Sequence, residues 1–169
     1  MSPHPPPSKR AKPGPGQESC WDYPRPPALE VSTESVEVVL GGVVVASTTR
    51  SWRVLETSHP PTYYLPRAAF AAGVLRPTEG SSMCEWKGEA AYFDLVSGDV
   101  VAPRAAWTYP TPTQRFADLV DAVAVMPGQV DRCVVDGEVV EPQDGGFYGG
   151  WITSRVVGPF KGQPGSWGW

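Results

Sequence analysis

Val36-Glu37-Val38-Val39-Leu40-Gly41-Gly42-Val43-Val44-Val45-Ala46-Ser47-Thr48 is the stretch whose reading decides the fold class. Val36, Val38 and Leu40 alternate with Glu37 and Val39, a period of two that sends successive side chains to opposite faces of a strand. Gly41-Gly42 then offers a two-residue turn able to take positive φ, and the chain returns through Val43 to Thr48. The stretch predicts a β-hairpin. From Leu29 onward the chain carries 22 valines against seven leucines, a bias toward β-branched residues that suit a pleated, half-buried surface. The core is expected to be mainly β.

Outward from this hairpin, further strands are predicted through Trp52, Val54 and Glu56, near Tyr63-Tyr64-Leu65, and along residues 89–96, turning at Gly98-Asp99 into Val100-Val101. Residues 104–109 continue the sheet. Cys133-Val134-Val135 turned by Asp136-Gly137 into Glu138-Val139-Val140 reads as a second hairpin. One or two short helices are expected. Phe116, Leu119, Val120 and Val123 fall at i, i+3, i+4 and i+7 behind Thr111-Pro112-Thr113, which can cap and start a helix. Residues 66–72, stopped by Gly73, suit one or two turns.

Residues 1–28 hold nine of the 20 prolines and almost no aliphatic side chains, too little apolar surface to offset ordering entropy. They read as a disordered, Pro-rich tail with Trp21 and Tyr23 as its only anchors, followed by a single domain over residues 29–169. The last part, from Gly145 onward, carries eight glycines interleaved with Phe147, Tyr148, Trp151, Phe160, Trp167 and Trp169, the pattern of an extended strap whose aromatics plug into a surface.

Fourteen basic against 18 acidic residues give a net charge of −4, so no basic footprint for nucleic acid covers the molecule. No apolar run approaches the ~20 residues of a membrane-spanning helix, and the first residues lack the apolar stretch of a secretory signal. The expectation is a soluble, cytoplasmic protein with no nucleic-acid or membrane partner; nothing in the sequence sets an oligomeric state. Cys20, Cys84 and Cys133 are odd in number and lack C-x-x-C spacing, which reads as free thiols with no zinc site.

One constellation suggests chemistry. Glu56 leads into Thr57-Ser58-His59-Pro60-Pro61-Thr62-Tyr63-Tyr64, where paired prolines stiffen a loop after a strand. Cys84-Glu85-Trp86-Lys87-Gly88 follows, then Tyr92, then Trp107-Thr108-Tyr109. Glu56, Lys87 and Cys84 are the candidate catalytic residues: a proton carrier, an electrostatic or covalent participant, and a reserve nucleophile. Tyr63, Tyr64, Trp86, Tyr92, Trp107, Tyr109, Tyr148 and Trp151 are the candidate ligand-binding residues. His59 reads as a loop hydrogen-bonder, because the sequence names no group to orient it as a base. No phosphate-loop, nucleophile-elbow or dinucleotide motif appears in its required context.

These same segments, with Gly145-Gly146-Phe147-Tyr148-Gly149-Gly150-Trp151-Ile152-Thr153 and the run on to Gly162, closely resemble the domain-of-unknown-function 427 family, from about Val36 to Trp169. The resemblance implies a β-tent, two antiparallel sheets pinned at one edge and splayed at the other. That fold is similar to methionine-R-sulfoxide reductase B and the thalidomide-binding domain of cereblon, whose ligands lie in the opening between sheets. The paired C-x-x-C zinc site of many such relatives is missing here. No cofactor and no established reaction come with the family. The expected function is small-molecule binding in an aromatic-lined cleft between the sheets, with or without catalysis. The alternative is a noncatalytic protein-interaction module acting through the C-terminal strap or the basic tail.

Overall fold

The computed structural model describes residue 5, residues 9–166 and residues 168–169. Residues 1–4 and 6–8 of the stretch read as a tail, and Trp167 of the strap, lie outside the described residues. The strands, in chain order, are β1 Glu18–Ser19, β2 Ala28–Ser32, β3 Val36–Leu40, β4 Val43–Thr48, β5 Ser51–Leu55, β6 Thr62–Pro66, β7 Leu75–Cys84 and β8 Gly88–Ser97. They continue as β9 Val100–Thr108, β10 Ala122–Val125, β11 Arg132–Val135, β12 Glu138–Val139, β13 Glu141–Pro142, β14 Trp151–Ile152 and β15 Val156–Val157. The fold is mainly β. A seven-stranded sheet, β2-β5-β6-β10-β9-β8-β7, and a four-stranded sheet, β12-β11-β3-β4, are antiparallel throughout.

The founding hairpin forms as its residues require: Leu40 pairs with Val43 across Gly41 and Gly42, both at positive φ (62° and 74°). Its inward residues Val36, Val38 and Leu40 meet Tyr63, Leu65, Phe93, Leu95, Val123 and Val125 of the larger sheet, and these form the main core. Each such aliphatic side chain contributes roughly 1.5–3 kcal/mol by leaving water. The opposite face of the seven-stranded sheet carries a second, smaller cluster around Tyr64, Ala90, Tyr109, Ala122 and Ala124, covered in part by Phe116 and Leu119.

One local expectation changes and another is met at its lower bound. The helix expected over Phe116 to Val123 is a 3-10 segment, Gln114–Asp121, broken at Phe116, and Val123 belongs to β10 instead. Ala122-Val123-Ala124-Val125 alternates small and β-branched residues; Val123 and Val125 enter the main core while Ala122 and Ala124 face the other way, so tertiary pairing with β6 and β9 overrides the helical spacing. Residues 66–72 supply only the single 3-10 turn Arg67–Ala69. The sequence also conceals β7, an edge strand that tolerates Pro77 and shifts register between Thr78 and Ser81.

Residues 18–28, on the tail side of the boundary read from composition, make many contacts with the domain. β1 pairs in parallel with β15. Cys20 and Tyr23 are buried with Leu55 and Val156. The guanidinium of Arg53, 0% exposed, donates to Glu18 Oε1 at 2.6 Å and Glu30 Oε1 at 2.7 Å, and Arg155 pairs with Glu34 at 2.9 Å. Burial alone would raise the Glu18 carboxyl, but the hydrogen bond and charge of Arg53, aided by Arg155, hold it below its ordinary value of 4.5. A small buried cluster and a charge network thus tie this segment to the domain.

Candidate functional site

Strand parity decides which aromatics reach the candidate site. On β6 adjacent residues point to opposite faces, so Tyr63 and Tyr64 part company. Tyr63 enters the main core, stacks on Trp151 with centroids 4.9 Å apart, and donates to Glu34 Oε1 at 2.8 Å. Tyr64 faces outward and lines a cleft of about 640 Å³. Tyr92 of β8 and Trp107 of β9 are register partners, so their side chains stand together on that same outer face. Tyr109 completes the floor, and Trp107 Nε1 donates to Tyr64 Oη at 3.2 Å. Burial pushes the phenols of Tyr64 and Tyr109 well above 10, which keeps both neutral.

The cleft therefore lies on the far face of the seven-stranded sheet and not between the two sheets. None of its lining residues comes from the four-stranded sheet. One wall is the β7–β8 hairpin, with Ser82, Met83, Cys84 and Lys87. The facing wall is the glycine–aromatic strap, Gly146, Phe147, Tyr148 and Gly149. The strap hugs Trp107 so closely that a Cβ on Gly149 would lie 3.2 Å from Cζ2 and Cζ3 of the indole and would overlap Cη2. That approach requires glycine. Phe147 projects outward, 83% exposed, and Tyr148 sets its ring edge-on to His59 at 5.5 Å.

The diproline loop supplies the third side. Ser58 is buried at φ 73°, and its carbonyl accepts from Lys161 N at 2.8 Å, so the loop is clamped from the C-terminal segment. His59 N closes a turn on Glu56 O at 3.0 Å. The ring nitrogen Nδ1 lies 3.1 Å from the Thr57 carbonyl and 3.7 Å from Glu56 Oε2. Both are acceptors, which assigns the proton to Nδ1 and leaves Nε2 with its lone pair. Burial is the largest influence on the imidazole and holds it below 6.5, against the pull of Glu56. His59 is thus the loop hydrogen-bonder read from the sequence, and the Thr57 carbonyl supplies the orienting partner that the sequence did not name.

Of the residues picked out from the sequence, Glu56, Cys84, Lys87, Tyr64, Tyr92, Trp107, Tyr109 and Tyr148 line the cleft. Tyr63 and Trp151 lie in the main core. Trp86 sits in the turn after β7, half-buried against the outer cluster, where its carbonyl accepts from Thr113 Oγ1 at 2.6 Å. Glu56 and Lys87 share the cleft but not an ion pair. Glu56 Oε2 is 3.2 Å from Arg25 Nε, from the stretch read as a tail. Lys87 Nζ stands over the rings of Tyr109 at 5.7 Å and Phe116 at 6.0 Å. Cys84 is the half-buried thiol; Cys20 and Cys133 are buried, which pushes each up to about 12. The sequence also gave no sign of Arg104, which lines the cleft at φ 50° with its guanidinium 4.1 Å over the Tyr92 ring.

A family model described as a domain of unknown function, DUF427, matches residues 28–136. The chain belongs to the DUF427 family. The span that carries the DUF427 match holds the cleft floor, the diproline loop and the β7–β8 wall, and it ends before the strap that closes the other side. No curated protein matches this DUF427 chain. Among the described residues no three His, Cys, Asp or Glu side chains gather to hold a metal ion, and no helix is long and apolar enough to cross a membrane.

Proposed function

We propose that this DUF427 protein binds a small molecule in the cleft on the outer face of its seven-stranded sheet. The observation that carries the reading is the cleft itself: about 640 Å³, with an indole and three phenols on its floor and edge-on aromatics in the strap. Ligand sites are concave, mostly apolar and fitted with a few polar groups, and this volume lies within their usual range. Trp107 offers the stacking face, and the Tyr64 and Tyr109 hydroxyls offer hydrogen bonds. Chemically varied compound pools, followed by melting temperature and tryptophan emission, test the reading. A hit should raise the melting temperature of the wild type and lose most of that effect in Trp107→Ala. No response across all pools would overturn it.

A catalytic use of the same cleft is supported by His59, which lines the cleft and whose Nε2 would be left to take a proton from a bound ligand while Nδ1 stays hydrogen-bonded to Thr57 O. Glu56, held by Arg25, then acts as the positioning partner of the imidazole. Thiol chemistry would fall to Cys84. Labelling with a maleimide at neutral pH should modify Cys84 first and leave Cys20 and Cys133 protected until the protein unfolds. A Cys84 that reacts no faster than free cysteine would end the thiol-based version.

A further inference from the structure

The charges around the cleft do not balance. The whole chain carries −4, yet the ionic groups that line the cleft are one carboxylate, Glu56, and two cations, Lys87 and Arg104. Glu56 is already neutralised by Arg25 at 3.2 Å. Lys87 forms no ion pair among the described residues, and Arg104 meets a carboxylate, Asp94, only through its backbone N–H and the longer-range pull of its charge, whereas Arg25, Arg53, Arg76 and Arg155 all form ion pairs. A cation that lines a cleft with no anion paired to it is free to pair with the acid group of a bound ligand.

The two cations are not equivalent. Lys87 precedes Gly88 at the start of β8, and Arg104 donates its backbone N–H to Asp94 Oδ1 at 2.8 Å, near the other end of that strand. The Arg104 guanidinium lies over the Tyr92 ring, and four residues of strand separate Gly88 from Tyr92, roughly 13 Å at strand rise, so the two cations meet different ends of a bound molecule. Arg104 is exposed and already donates to Glu79 O at 2.8 Å. Lys87 is half-buried, with its Nζ over the two rings of Tyr109 and Phe116. The anion belongs at Lys87.

Resting on the small-molecule reading above, we infer that the ligand is a flat organic anion whose acid group pairs with Lys87 and whose ring system lies along Tyr109, Trp107 and Tyr92. Arg104 lends positive potential at the far end of that path. The chemistry is that of a carboxylate, sulfonate or phosphate carried on an aromatic body: the stacking floor recognises the body and the unpartnered ammonium recognises the charge.

Two fluorescent dyes separate this inference from the reading beneath it. 8-Anilinonaphthalene-1-sulfonate and N-phenyl-1-naphthylamine share their rings and differ by one sulfonate. Both should bind the full chain and both should weaken in Trp107→Ala, with the sulfonate favoured about tenfold in the wild type. Lys87→Met should bring that ratio close to one, and Lys87→Arg should keep it; melting temperatures establish that each variant is folded. If Lys87→Met does not fold, a salt series on the wild type decides, because screening must weaken the sulfonate and leave the neutral dye unchanged. Equal wild-type affinities, or a preference that survives Lys87→Met, overturn the anion inference and leave the cleft as a site for neutral ligands. Failure of both dyes to bind, or binding indifferent to Trp107→Ala, overturns the small-molecule reading as well.

Discussion

Replacing Gly149 by alanine tests whether the strap is a fitted wall of the cleft. The backbone at Gly149 lies outside the positive-φ region, so an added methyl brings no conformational strain; its cost is purely one of contact. The new Cβ would overlap Trp107 Cη2 and stand 3.2 Å from two further indole carbons. Trp107 has little room to yield, because its Nε1 donates to Tyr64 Oη at 3.2 Å and Tyr64 is itself buried. Overpacking of this kind costs about 1–3 kcal/mol. At about 2–4 °C per kcal/mol for a domain of this length, a cost near the middle of that range lowers the melting temperature by about 4–8 °C. Gly146→Ala is the control: φ is 65° and nothing lies within 4 Å of the added methyl, so only left-handed backbone strain of about 1 kcal/mol applies, or about 2–4 °C. Differential scanning calorimetry with tryptophan emission reads both effects, and only Gly149→Ala should alter the indole signal. A Gly149→Ala melt no lower than that of Gly146→Ala, with unchanged emission, would refute the fitted-wall account.

Other expectations follow from the same geometry. His59 carries a folded-state pKa below the ordinary 6.5, so on acidification the unfolded chain takes up that proton first; its contribution to stability is complete above 6.5 and is lost as pH falls through the lowered value. Proton NMR of the imidazole should place its titration below 6.5, and His59→Gln should remove that step from the stability profile; a midpoint at or above 6.5 contradicts the burial argument. Tyr63→Phe removes the 2.8 Å hydrogen bond to Glu34 and should cost about 1–2 kcal/mol in urea unfolding while leaving dye binding unchanged, because Tyr63 faces away from the cleft; altered dye affinity would count against the parity assignment. Arg53→Met removes the cation that Glu18 and Glu30 share and should destabilise by about 1 kcal/mol, because both carboxylates are left in contact with solvent. Because Glu18 lies below 4.5 in the folded state, its support is present above 4.5 and fades as pH falls further, so the variant should also show a flatter acid limb; an unchanged limb would argue against the network.

The sequence discloses most where backbone geometry leaves few choices. Gly41-Gly42, Gly98-Asp99 and Asp136-Gly137 mark turns whose φ values few other residues adopt, and all three hairpins form there. It misleads where two periods overlap. Phe116, Leu119 and Val123 keep helical spacing, but the chain changes conformation at Ala122, and only the vacancy between β6 and β9 explains why. β7 was hidden because Pro77 and Gly80 read as breakers, which an edge strand accommodates. For the site, residue type located most of the cleft, but facing direction did not follow: Tyr63 and Trp151 share the aromatic composition of the floor and stack instead in the main core. The partner of Glu56 was invisible for a different reason, since Arg25 comes from a segment 31 residues earlier whose composition reads as unfolded.

The parallel pairing of β1 with β15 and the strap laid against Trp107 impose an order on biosynthesis. A chain emerging from the ribosome amino end first can close the Val36 hairpin at once, and Cys20 can meet Leu55 soon after, but Glu18 and Ser19 must wait for Val156 and Val157 before their strand acquires its partner. Until translation is almost finished, the strap's side of the aromatic floor is bare to solvent or to any chaperone at hand. Nascent chains stalled before Gly145 should therefore be the species most inclined to adhere to one another.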